Sequence, residues 1–170
     1  MNNKAEKKNR DEISFFGVGP KIFICISPFI LIFGITSFIL EPFFQIPVGN
    51  IWLILIGGIL LIIGLISFIY SEIGLRKAFK ASDLLTTKAS SYLRHPMYAS
   101  MGLGILPGIL IFLNSWLLLL ILPIYYLLVR IFIREEEEYL INKFGDNYIH
   151  YKEKVNAFFP NFKRYKADNS

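Results

Sequence analysis

Four long apolar runs set the pattern of this chain, and its charged residues fall between and beyond them. Residues 22–40 and 51–70 are nearly free of charge and about 20 residues long, enough for a helix to cross a hydrocarbon core of roughly 30 Å. Residues 97–113 and 116–133 are shorter, are split only by Asn114-Ser115, and carry one internal proline each, Pro107 and Pro123. The pattern predicts an all-α fold, a polytopic membrane bundle of four transmembrane helices. The last two form a tight hairpin kinked at its prolines, whose freed carbonyls must find partners on neighbouring helices.

The polar segments carry periods of their own. After the second run, Ile73, Leu75, Ala78 and Phe79 alternate with Arg76, Lys77 and Lys80, which predicts a short interfacial helix. Residues 83–91 are small and polar and read as loop. Beyond Arg134, the residues Leu140, Ile141, Phe144, Tyr148, Tyr151 and Val155 recur at helical spacing as one apolar stripe. Gly145-Asp146-Asn147 interrupts that stripe, so two short helices are expected there. Residues 1–20 and 161–170 read as tails, 21–70 as the first two helices, and 71–160 as a core around the hairpin.

Composition agrees with a membrane solvent. Hydrophobic residues make up 54% of the 170 positions, and the mean hydropathy is +0.50, too apolar for a single water-soluble domain of this length. All 18 lysines and arginines lie in the N-terminal segment, between the second and third runs, or from Arg130 onward. The turns at 41–50 and at Asn114-Ser115 have none. With four spans, every basic residue and both ends share one face, which the positive-inside rule makes cytoplasmic. The net charge of +5 then reads as a basic membrane face beside anionic headgroups, with no nucleic-acid partner implied. The first run is too long for a signal peptide, and bulky Glu41-Pro42-Phe43-Phe44 follows it in place of a cleavage site. Cys25 is the sole cysteine, which excludes a disulfide framework and a cysteine metal cluster.

The candidate chemistry gathers in two places. One is Arg94-His95-Pro96-Met97-Tyr98, where the loop enters the third run. The other is Arg134-Glu135-Glu136-Glu137-Glu138, where the fourth run ends. A helical hairpin brings both to one rim of the bundle, a plausible small-molecule site. Blander readings stand beside this one. Arg94 and His95 would serve as interfacial anchors with Pro96 starting the helix. The glutamates would form a solvated exit, Glu138 pairing back to Arg134. Four adjacent carboxylates nevertheless repel one another and ask for a compensating partner. His150 reads as a surface residue. Gly102-x-Gly104 has no preceding strand, which excludes a dinucleotide turn and leaves close helix packing. No metal-ligand set, phosphate-cradling loop or serine–histidine–acid arrangement can be assembled.

Arg94-His95-Pro96-Met97-Tyr98, a short hairpin, and then Glu136-Glu137-x-x-Leu140-x-x-x-Phe144-Gly145-x-x-Tyr148-x-x-Tyr151 resemble the isoprenylcysteine carboxyl methyltransferase family. Val155 and Phe159-Pro160 fit its closing pattern, and the resemblance covers about residues 75–160. That family belongs with the phospholipid N-methyltransferases in a broader group of membrane methyltransferases. The resemblance implies methyl transfer from S-adenosyl-L-methionine, bound on the cytoplasmic side between the two motifs. Ser82, Asp83, Leu84, Leu85, His95, Pro96, Met97, Tyr98, Glu136 and Glu137 would then line the cofactor site, with Arg94 and Arg134 as the catalytic candidates. The acceptor would be a small lipophilic carboxylate, amine or thiol, or a lipid. The chain's short length resembles prokaryotic members, implying a multi-pass protein of a prokaryotic cell membrane. Lys88-Ala89-Ser90 departs from the family's Gly-Pro-Tyr, with Tyr92 close by. That departure motivates an alternative, a catalytically silent binding or assembly subunit. A nicotinamide-dependent reductase of related fold is a further alternative.

Overall fold

An apolar helix satisfies its own backbone, which is what a hydrocarbon solvent demands. The computed structural model describes residues 18–81, 84, 86, 88–161 and 165, without the side chains of Phe79, Lys80, Ala81 and Lys88. Among these residues the structure is all-α and no strand forms; a single isolated bridge joins Gln45 and Ser115. Gly19–Ile39 (α1) is followed by the short turn of helix Glu41–Phe44 (α2) and then by Asn50–Ala81 (α3). Helices α1 and α3 are long and apolar enough to cross a membrane, and only 17% of the most apolar stretch of each is buried. The core helix of a water-soluble protein would be mostly covered, so these flanks suit lipid. Pro28 lies inside α1, and the carbonyl its missing amide leaves free, that of Ile24, accepts a hydrogen bond from Ser27 Oγ at 2.9 Å.

The interfacial helix predicted after residue 70 is not separate; it is the lower part of α3, 32 residues long. No proline or glycine pair breaks the chain there. Ser71 Oγ bonds back to the Ser67 carbonyl at 2.7 Å, and Glu72 pairs with Arg76 one turn on. The hairpin forms as expected. Its first arm, Pro96–Phe112 (α4), is α-helical at Pro96–Ser100 and Leu106–Phe112, with a π-helical stretch at Met101–Ile105. Asn114 takes the left-handed conformation at the turn (φ 48°). The second arm starts as a 3₁₀ turn at Leu118–Leu120 and continues as Ile121–Phe144 (α5). Pro123 therefore sits in the first turn, where a missing amide costs nothing, and does not kink the arm.

Contacts run from α3 to α4, from α4 to α5 and from α5 to α1. Ile121, Tyr125, Val129 and Ile133 recur every four residues along α5 and form a buried core with Ile22 and Ile26 of α1. Between α3 and α4 the contact is backbone to backbone: a Cβ built on Gly104 would lie 2.5 Å from Gly64 Cα, and one on Gly108 2.8 Å from Leu61 N. Gly102-x-Gly104 thus serves close packing, as expected. Helix α5 runs without a break past residue 134, so the first of the two short helices expected there is its own end. Gly145 (φ 57°) stops it, and Asp146–Lys154 (α6) follows. The stripe packs as expected: Tyr148, Tyr151 and Val155 are buried, with Leu84, Leu140, Ile141 and Phe144 against them.

Candidate active site

The site lies where α4 begins and α5 leaves the apolar bundle. His95 immediately precedes α4, and Pro96 fills the first helical position, where no amide is missed. The chain beyond α6 returns to clamp this entry. Arg94 N–H donates to the Asn156 carbonyl at 2.8 Å and His95 N–H to that of Ala157 at 3.2 Å. Phe158 packs beside the His95 ring, with centroids 6.4 Å apart. Tyr151 donates its hydroxyl to the Ser90 carbonyl at 2.6 Å, fixing the segment that leads in.

Five charged side chains then form one ionic cluster, buried except at Lys152. Arg94 Nη1 lies 2.6 Å from Glu137 Oε1, and Lys152 Nζ of α6 lies 2.8 Å from the other oxygen. His95 Nε2 is 3.4 Å from Glu137 and its Nδ1 is 3.7 Å from Glu136, so each ring nitrogen faces a carboxylate. Tyr98 donates its hydroxyl to Glu136 at 2.8 Å and accepts from Val18 N–H at 3.1 Å, tying the start of α1 to the same group. Beside the cluster, the Tyr125 hydroxyl donates to the Tyr98 carbonyl at 3.0 Å, in the turn where the π-helical stretch shifts the usual ladder.

Burial and pairing act against each other here. Burial alone would neutralise His95, yet the hydrogen bonds and charges of Glu136 and Glu137 outweigh it and raise the pKa. Burial likewise works against ionised Glu137, and His95, Lys152 and Arg94 together overcome it, holding the carboxyl at about 2. Glu136 is also lowered against its burial, by His95 and by the Tyr98 hydroxyl. The cluster is therefore a mutually supporting set of charges, in which the carboxylates favour the protonated form of His95. Two kinds of buried donor remain without a hydrogen-bond acceptor among the described residues, Arg94 Nε and the Tyr148 hydroxyl.

Of the residues singled out from sequence, Arg94, His95, Tyr98, Glu136 and Glu137 come together. Pro96 instead lines a groove on the far side of α4, against α3. Met97 is half-buried, and Leu84 packs with Tyr148 and Tyr151. Ser82, Asp83 and Leu85 lie outside the described residues. Arg134 stands exposed with no ion pair among the described residues, so its pairing with Glu138 does not form. Arg130 is turned to Tyr126, and His150 is exposed as expected. Glu135 pairs with Lys21 of α1. Sequence reasoning missed Lys152, Val18 and the clamp at 156–158. Lys152 alone had a signal, following Tyr151 directly on the apolar stripe.

Compared with protein families, residues 50–147 match the model for "Phospholipid methyltransferase", more than half of the 170-residue chain. The chain belongs to the phospholipid methyltransferase family. The match starts earlier than the resemblance read from the motifs, taking in α3 entire, and it ends at the start of α6. Both polar motifs of this membrane methyltransferase fall within it, whereas α1, Lys152 and Phe158 fall outside. No curated protein and no solved structure matches the chain.

Proposed function

We propose that this family member is an integral membrane methyltransferase that uses S-adenosyl-L-methionine and methylates a small lipophilic acceptor at the cytoplasmic rim of a four-helix membrane bundle. The observation that carries the reading is the buried cluster of Arg94, His95, Glu136 and Glu137, formed by the two motifs that the family match contains.

The donor set fits such a cofactor. Arg94 Nε and the Tyr148 hydroxyl are buried donors lacking acceptors, and a carboxylate or ribose hydroxyl satisfies such groups. When bound, the cofactor supplies a methyl group already activated on a sulfonium. No protein nucleophile or metal is needed, and the side chains serve to bind, orient and exclude water. Glu137, held by Arg94, Lys152 and the His95 ring, acts as the fixed point that aims Arg94. Glu136, held by the single hydroxyl of Tyr98 and the more distant His95, is the carboxylate best able to accept from cofactor hydroxyls. His95 orients both. Arg134 is too exposed to share this role.

The side assignment follows from charge. With four spans, α1, α3, α4 and α5, the segments 41–50 and Asn114-Ser115 without lysine or arginine share one face, and the basic residues share the other with the cluster. The test is ligand-induced stabilisation of the detergent-purified chain by S-adenosylhomocysteine. A ligand at 100 times its Kd is expected to raise the Tm by about 5 to 10 °C. Arg94→Gln and Glu136→Gln are expected to remove most of that rise. A melting curve unmoved at saturating ligand overturns the reading. Co-purification of a stable partner would then support a silent assembly subunit, to which Lys88-Ala89-Ser90 points, and stabilisation by NADPH a reductase.

A further inference from the structure

Helix α5 grips Tyr98 twice. Glu136, where α5 leaves the bundle, accepts from the Tyr98 hydroxyl at 2.8 Å. Tyr125, buried in the apolar core, donates its own hydroxyl to the Tyr98 carbonyl at 3.0 Å. The two stand about three turns apart and so project from nearly one face of α5. Tyr98 is thus held at both its backbone and its side-chain end by one helix. A missing side chain seats Tyr125: a Cβ built on Gly102 would lie 2.7 Å from Cε1 of the ring and 3.2 Å from its Cδ1. Gly102 belongs to the π-helical stretch Met101–Ile105, which starts where Met101 N–H is shared between the carbonyls of Met97 and Tyr98. Such stretches depart from the α-helical ladder and are frequent at functional sites. Tyr125 braces this one at a carbonyl and at a glycine.

We propose that Tyr125 is a positioning residue of the cofactor site, acting through Tyr98 on Glu136. The proposal rests on the methyltransferase reading above and adds to it a residue from inside the bundle. Glu136 has the Tyr98 hydroxyl at 2.8 Å and His95 only at 3.7 Å, so Tyr98 is its closest partner. The Tyr98 hydroxyl also accepts from Val18 N–H at 3.1 Å, which leaves its one proton committed to Glu136. A displacement of about 1 Å carries a 2.8 Å bond beyond hydrogen-bonding range. Holding the Tyr98 backbone therefore sets where Glu136 points, and misplacement of this size at a binding group is costly for an aligned transfer. Phenylalanine in place of Tyr125 would keep the packing on Gly102 and lose the aim.

The test uses the full detergent-purified chain, with S-adenosylhomocysteine binding measured by titration calorimetry. Tyr125→Phe removes only the hydroxyl, and the Kd is expected to rise about fivefold. Ser37→Ala is the control. It breaks a buried hydroxyl pair with Ser115 at 2.7 Å, at the opposite end of the bundle, and is expected to lower the Tm to a similar extent with the Kd unchanged. In the Tyr98→Phe background the link to Glu136 is already gone, so Tyr125→Phe is expected to add less than about twofold. A 3-fluorotyrosine label at Tyr98 gives a readout without ligand. Its fluorine resonance is expected to move in Tyr125→Phe and in Glu136→Gln, and to stay in Ser37→Ala. An unmoved resonance in Tyr125→Phe, or affinity losses from Tyr98→Phe and Tyr125→Phe that simply multiply, overturns the proposal. A wild type that binds no S-adenosylhomocysteine while the resonance responds as described ends the cofactor reading and leaves Tyr125 as the residue that sets Tyr98.

Discussion

The two faces of α4 are held by opposite kinds of physics. Toward α5 and α6 it is fixed by side-chain charge, with Arg94 and His95 against Glu136 and Glu137. Toward α3 it is fixed by the absence of side chains, with Gly104 on Gly64 and Gly108 on Gly57 and Leu61. Charges can be redistributed when a ligand arrives, because donors and acceptors change partners. Touching backbones cannot move closer and have no alternative arrangement. The contrast teaches a division of labour in one helix: a rigid seam on one face, a rearrangeable polar site on the other.

Removing one member of the ionic cluster is the largest perturbation. Arg94 and Glu137 are both nearly buried, with side-chain exposures of 11% and 9%, so Glu137→Ala strands a guanidinium and is expected to cost about 3 to 5 kcal/mol. Reversible denaturation in mixed micelles measures this. A loss below about 1 kcal/mol would place the cluster with exposed surface pairs and erase the contrast with the seam. Gly104→Ala attacks the seam directly. Its Cβ would meet backbone atoms, which cannot rotate away, and the expected loss is about 1 to 3 kcal/mol. Gly58→Ala, whose Cβ would meet only the Phe112 ring at 3.8 Å, is expected to be neutral or slightly stabilising.

Acidity separates the faces further, because only one of them titrates. The raised pKa of His95 means its protonated form is favoured by folding. Its contribution is thus fully present below the ordinary value of 6.5 and is lost as pH rises through the raised one. Glu137 has the reverse sign: its contribution is present above the ordinary carboxylate value and disappears as pH falls toward about 2. Wild-type Tm is expected to decline from neutral to alkaline pH, and the decline to vanish in His95→Gln. The Gly104→Ala protein should keep the wild-type slope from a lower starting point. An alkaline slope that survives in His95→Gln would assign the titration elsewhere.

Much of this arrangement was legible from residue type and spacing. The apolar runs, the stripe from Leu140 to Val155, the packing role of Gly102-x-Gly104 and the meeting of the two polar motifs all follow from period and charge. The rest was hidden for identifiable reasons. The clamp on Arg94 and His95 uses the carbonyls of Asn156 and Ala157, and a backbone acceptor leaves no trace in residue identity. Helix α3 continues past Tyr70 because nothing interrupts it; a change from apolar to amphipathic composition marks a change of solvent, not an end of helix. Arg134, exposed and not paired with Glu138, shows that a charge run is not one unit. At about 100° per residue it points some 110° away from the midpoint between Glu136 and Glu137, so neighbours in sequence face different surroundings.

The smallest expected effect tests where the cluster ends. Lys21 of α1 pairs with Glu135, next in sequence to Glu136, yet their side chains are 48% and 54% exposed. Water screens such a pair and both chains lose rotamer freedom in making it, so Lys21→Ala is expected to cost less than about 1 kcal/mol. The cost should shrink further at about 1 M salt, where the Debye length falls to about 3 Å. Denaturation of Lys21→Ala at low and high salt measures both. The neighbouring link from Val18 N–H through the Tyr98 hydroxyl to Glu136 is half-buried and should be indifferent to salt. Tyr98→Phe is therefore expected to cost about 1 kcal/mol at either ionic strength. If Lys21→Ala instead proves as costly and as salt-independent as Tyr98→Phe, the start of α1 belongs to the polar site itself. The charged face of α4 would then include a third helix, outside the family match, that its glycine face does not touch.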